Sequence, residues 1–171
     1  MRKRLLLLAV LLVAALVLPA FAGEGHPAKK DPPGFGRLKA LAGEWDGKMS
    51  DGTAVKVVYE VVSGGSAVVE TMKAGTAGAM VTVYHADGGS ILMTHYCTAN
   101  NQPRMRAIAA SAEPKELVFN FVDVANLAKA DEGHMMGLTV TFEDADHFSQ
   151  AWSWSVKGEG KPEVFKYQRK K

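Results

Sequence analysis

One cysteine, Cys97, occurs in 171 residues, so no disulfide can form within the chain. A disulfide redox centre or a covalent dimer would need a second thiol from elsewhere. Cys97 is therefore expected to be a buried, inert thiol. An excess of one charge is also missing, because 20 basic residues stand against 18 acidic ones. No lysine or arginine stripe interleaved with aromatics is present, which disfavours nucleic acid as a partner. Glycine-rich phosphate loops, a nucleophile elbow and a His-Glu-x-x-His pair are absent, and no spacing orders serine, histidine and aspartate into a triad. No catalytic class is indicated, and the sequence specifies no cofactor.

Long apolar runs are scarce too. The longest is Leu5 to Leu18, 14 residues, short of the roughly 20 that span a bilayer. It follows Arg2-Lys3-Arg4 and precedes Pro19-Ala20-Phe21-Ala22, with small residues where a signal peptidase reads. Residues 1–22 are thus expected to be a signal peptide, with Gly23 beginning a periplasmic or secreted chain that has no membrane span. Subtracting the leader's three cations from the net charge of +2 leaves about −1 for residues 23–171. Residues 23–33, which include His26, read as a flexible linker. Residues 34–171 are long enough for one domain with a sizeable core.

What is present is alternation. Phe35, Leu38 and Leu41 recur at helical steps between Gly34 and Ala42, and the period then changes to two. Val55, Val57, Tyr59 and Val61 alternate with Ala54, Lys56, Val58 and Glu60. Further strands are expected at 44–49, 67–73, 79–85, 90–97, 103–112, 116–123, 134–142, 147–157 and 162–169. Ser63-Gly64-Gly65-Ser66 and Asp87-Gly88-Gly89 are hairpin signals. Residues 125–130 suggest a helical turn. About ten short strands without βαβ alternation predict an all-β, up-and-down antiparallel barrel with a short N-terminal helix; a β-sandwich is the competing architecture.

A short helix followed by Leu41-Ala42-Gly43-Glu44-Trp45-Asp46-Gly47 at the head of such a meander resembles the calycin group. That group includes lipocalins, fatty-acid-binding proteins and nitrobindin-like haem barrels. The hairpin around His95 and the tract Thr141 to Phe148 look most like uncharacterised secreted bacterial lipocalin-like proteins. The resemblance covers roughly residues 35–169 and implies a barrel; it implies no activity. Two family features are altered here. Nitrobindin-like barrels ligate haem through a histidine near the C-terminal end, and Glu163 to Arg169 contains none. Fatty-acid-binding proteins place an arginine two residues before a tyrosine on the last strand, whereas Tyr167-Gln168-Arg169 reverses that order.

Polar chemistry concentrates between Thr94 and Arg106. His95 and Cys97 share a strand face with Met93 and Ile91, and Arg104 and Arg106 share a face across the turn. His95 and Arg104 are expected to approach each other at one barrel end. There they would line the main pocket with Tyr96 and Asn101 and suit an anionic head group whose tail enters the barrel. The structural alternatives are a rim histidine bonded to a loop carbonyl, and arginines paired with Glu70, Asp123 or Glu143. Zinc bound by His95, Cys97 and His134 has suitable ligand types but scattered spacing. Trp152 and Trp154 share a face with Phe148 and Val156, opposite Ser149, Ala151, Ser153 and Ser155, as barrel core or as a ligand-stacking wall. The expected function is binding of a small apolar or amphipathic molecule through His95, Tyr96, Asn101, Arg104, Arg106, Trp152 and Trp154. The alternative is an enzyme, or a haem or metal barrel, that uses His95.

Overall fold

Residues 30–155 and 162–171 are described by the computed structural model of the chain. The expected signal peptide, His26 and Val156 lie outside the described residues. A five-residue helix, α1 (Phe35–Lys39), precedes ten strands: β1 (Gly43–Lys48), β2 (Ala54–Val62), β3 (Ala67–Ala74), β4 (Met80–Asp87), β5 (Ser90–Tyr96), β6 (Gln102–Ala107), β7 (Glu116–Ala125), β8 (His134–Phe142), β9 (His147–Ser155) and β10 (Glu163–Arg169). Each strand pairs antiparallel with the next, and β10 returns to β1, with Gly47 opposite Tyr167, so the sheet closes and leaves no edge. The closed barrel excludes the sandwich.

Alternation sets which side chains turn inward. On β2, Val55, Val57 and Tyr59 are buried while Ala54, Lys56 and Glu60 are exposed, as the period of two requires. Gly47 makes closure feasible. A Cβ there would stand 2.5 Å from Tyr167 Cδ1, so any larger residue would push the inward ring of β10 away from its partner strand.

Helix α1 covers one end. Phe35, Leu38 and Leu41 enter the core, and the Trp45 indole N–H donates to the Leu41 carbonyl at 2.8 Å. Arg169 lies over the Trp45 ring at 4.0 Å and donates to the carbonyls of Ala40 and Ala42, both at 2.9 Å. The last strand is thereby locked to the chain entering the first. The up-and-down order places the loops 49–53, 75–79, 97–101 and 126–133 at the opposite end.

Two expected elements differ. Strand β6 ends at Ala107 rather than Ala112, because 108–115 leaves the sheet to run beside the helix entry. There the Lys115 carbonyl accepts from Phe142 N–H, and Ala109 lies 3.1 Å from where a Cβ on Gly34 would sit. Residues 125–130 form no helix: Ala125 completes β7, and the chain then turns, with Asn126 at φ 61°.

Candidate functional site

Four inward residues form one lateral row across neighbouring strands. The register pairs Tyr59 with Glu70, Glu70 with Thr82, and Thr82 with His95, and all four are buried. Cross-strand partners on one face have Cβ atoms about 5 Å apart, so the row is a continuous polar wall. Glu70 is its centre. Glu70 Oε2 accepts from Tyr59 OH at 2.8 Å, from Tyr84 OH at 2.6 Å and from the Gln150 amide at 3.0 Å. Gln150 Oε1 in turn accepts from Trp152 Nε1 at 3.2 Å and Tyr167 OH at 3.1 Å. The network thus crosses the lumen from β2–β4 to β9 and β10.

Burial governs the protonation of these groups. It raises the Glu70 carboxyl above its usual range, even though three hydrogen bonds to Oε2 act the other way. Burial likewise holds the phenols of Tyr59, Tyr84 and Tyr167 neutral. His95 is pushed down to about 4 by the loss of solvation, so its imidazole is uncharged at neutral pH. Its Nδ1 stands 2.9 Å from Thr82 Oγ1, and its ring packs against Trp152 with centroids 4.6 Å apart.

Two buried atoms on this wall have no hydrogen-bond partner among the described residues: Glu70 Oε1 and His95 Nε2. Such atoms are costly to maintain without a compensating contact. Asn101 leaves a third, Oδ1, unpartnered while its amide donates to the Gly133 carbonyl at 2.9 Å. That bond ties the β5–β6 turn to the loop before β8.

The expected meeting of His95 and Arg104 does not occur. His95 faces inward on β5, whereas Arg104, opposite Thr94 in the register, faces outward and pairs with Asp123 through both guanidinium and carboxylate forks. Arg106 is also outside, 2.7 Å from Asp87 and 2.6 Å from Ser90 Oγ. Tyr96 is half exposed on the outer face. The reason is parity: His95 and Arg104 sit at inward and outward positions of adjacent strands, so proximity in sequence separates them across the sheet. Asn101 is near the lumen end, and Trp152 lines the lumen; Trp154 is half-buried beyond it on the same strand. Cys97 is half-buried in the turn rather than buried. Among the described residues no three histidine, cysteine or acidic side chains converge to hold a metal ion, and the His134 ring lies tilted against Phe121, centroids 5.2 Å apart.

Glu70 and Gln150 were missed as site residues, although a signal was there. Glu70 shares parity with Val68 and Met72 and opposes Lys73, and Gln150 sits between Phe148 and Trp152 on one face. Two surface concavities among the described residues lie elsewhere. One, of about 560 Å³, runs along β1 and β10 between Lys48, Val164, Lys166 and His147. The other, of about 340 Å³, lies over β6 and β7 beside Ile108, Val118 and Val122.

No family model matches the chain, and no curated protein matches it either. Among solved structures it is similar to one described as the crystal structure of Rv2717c from M. tuberculosis, with 13% sequence identity and a TM-score of 0.60. The match covers 83% of this chain and 100% of that one. A redesigned β-barrel, b11L5F_LGL, aligns over the same share at 8% identity, with a TM-score of 0.41 that carries no argument. The likeness to Rv2717c supports the ten-stranded barrel and, at that identity, the fold alone.

Proposed function

We propose that this chain is a calycin-type barrel of the cell envelope that binds a small amphipathic or apolar molecule in its lumen, entering at the end opposite α1. The observation that carries this reading is the pair of unpartnered buried atoms, Glu70 Oε1 and His95 Nε2, on one polar wall inside an otherwise apolar barrel. Small-molecule sites combine an apolar wall with a few placed polar groups, and barrel mouths are a usual place for them. Met72, Met93 and Met105 line the interior, and Met49, Met80 and Met135 pack around its open end. Their unbranched side chains repack readily around a guest. The outward ion pairs of Arg104 and Arg106 remove the basis for an anionic head group at His95. Export rests on the Arg2-Lys3-Arg4 segment and the apolar run behind it.

Native mass spectrometry of the protein isolated from its own envelope tests the binding reading, and the first residue of that material tests export. A co-purified small molecule and an N-terminus at Gly23 are the expected results. A chain that carries nothing overturns the carrier; one that starts at Met1 overturns the export step.

A second reading draws on His95 alone. Its Nε2 is neutral, buried and free of partners, as an imidazole awaiting a metal or haem iron would be. A visible absorption band that His95→Ala abolishes would favour it over the carrier.

A further inference from the structure

We infer that the ligand of the lumen carries an amine, held as an ammonium ion against the unpartnered oxygen of Glu70. This rests on the binding reading above and specifies the chemistry of the guest. The two oxygens of the Glu70 carboxyl are unequally bonded. Three donors crowd onto Oε2 and none reaches Oε1, although the residue is only 1% exposed. A neutral carboxyl with its proton on Oε1 leaves a buried O–H donor with nothing to receive it. An ionised one leaves an anionic oxygen among buried side chains. Either state is unfavourable by itself, and burial tilts the carboxyl toward the neutral form.

An ammonium group resolves both. It donates to Oε1, while the three existing donors on Oε2 stabilise the carboxylate that forms. Ion pairs buried in this way hold only when the remaining lone pairs are satisfied, and here two phenols and an amide already satisfy them. The walls suit a cation as well. The Tyr59 and Tyr84 hydroxyls reach the acid, the Trp152 ring packs beside His95, and none of these groups carries a positive charge. His95 lies two strands away in the same row, neutral and therefore not repelling a cation, and its Nε2 is a second acceptor in the tautomer that donates from Nδ1 to Thr82 Oγ1. The inward positions of β2, β3, β4, β5 and β9 hold no lysine or arginine, so nothing there would attract an anion or compete for Glu70.

The proton balance follows. At neutral pH an aliphatic amine arrives as its ammonium ion and keeps its protons. Any proton that Glu70 carries leaves to the buffer on pairing, its O–H bond breaking as the carboxylate forms. An alcohol of the same length binds the neutral acid and releases none.

The test uses the full exported chain and three probes of one chain length: decylamine, decanol and decanoate. Calorimetry in two buffers of different ionisation enthalpy reads affinity and proton release together. Decylamine should bind at least about tenfold more tightly than decanol, with decanoate weakest. Glu70→Gln should bring amine and alcohol to equal affinity while decanol binding persists. If that variant does not fold, the ranking of the three probes on the unaltered protein decides. Decanoate or decanol binding as tightly as decylamine overturns the amine while leaving a lumenal binder standing. Failure of all three probes, with no molecule retained on purification, overturns the binding reading as well.

Discussion

At the end covered by α1, the barrel is closed by large rings and a guanidinium bonded to one another. Phe35 and Leu38 are fully buried, Trp45 is bonded to Leu41, and Arg169 spans the Trp45 ring and two carbonyls of the entering chain. Phe148 adds an edge contact to Trp45 at 4.7 Å and a stacked one to Tyr167 at 4.6 Å. The opposite half is filled by methionines and by a polar wall in which Glu70, His95 and Asn101 each leave an atom unpartnered. The capped end leaves one such atom among the described residues, Arg37 Nε, on a guanidinium that lies 3.6 Å from Glu113 and over the Phe142 ring; the other end leaves three and packs them with methionines. Binding sites are drawn from the second kind of region, because unpartnered groups inside a barrel are what a guest can satisfy.

The sharpest test of this contrast removes the same ring from each half. Trp45→Ala should cost about 4–5 kcal/mol, since the ring is 1% exposed and its neighbours are aromatic and tied. Trp152→Ala should cost nearer 3 kcal/mol, because methionines can collapse into the space. Chemical denaturation of both variants measures the difference. Equal losses would mean that the methionine half is as stiff as the capped one.

The pH dependence of stability separates the halves differently, because the most strongly perturbed imidazole lies in the open half. His95 falls from 6.5 to about 4 on burial, so its contribution is fully present above the unfolded value and is lost as pH falls toward the folded one. About 3 kcal/mol should disappear between pH 6.5 and pH 4, at 1.36 kcal/mol per unit. His95→Gln should flatten that slope; an unchanged slope would assign it to other groups. Glu70 works with the opposite sign. Its folded value is raised, so stability is present below the ordinary carboxylate range and declines as pH rises through the raised value. Glu70→Gln should make the barrel more resistant to denaturation at alkaline pH than the unaltered chain.

The smallest effect is expected on the outer face. Arg104→Ala breaks a solvated pair with Asp123, and exposed pairs contribute little. It should leave both the unfolding midpoint and the retained small-molecule content unchanged. A loss of retained ligand would show that the outer arginines reach the guest after all.

The candidate site was half legible. His95 and Trp152 stood out because imidazole and indole are rare in this chain and fell on inward positions. Arg104 and Arg106 stood out for the same chemistry and proved to be outside, paired with Asp123 and Asp87. Parity within β6, where Pro103, Met105 and Ala107 are the buried set, carried that information. It was outweighed by nearness to His95 along the chain. Glu70 was read as a surface partner for an arginine, since a lone carboxylate is seldom buried. The alternation of Val68, Glu70 and Met72 pointed inward all the same.

By itself, the sequence determined the strand pattern, the helix ahead of it and the absence of disulfide and catalytic motifs. Those properties are local: a period of two, a glycine turn or a missing residue type needs no knowledge of what lies across the lumen. Only the tertiary structure decided that Tyr59, Tyr84 and Gln150 meet on a single carboxylate oxygen. Gln150 is 80 residues from Glu70 along the chain, and what joins them is closure of the barrel. Closure also removed solvent from Glu70 and His95, which raises the carboxyl and lowers the imidazole. A lumenal dielectric, unlike a strand, is a property of the whole ring of side chains and is written in no single segment.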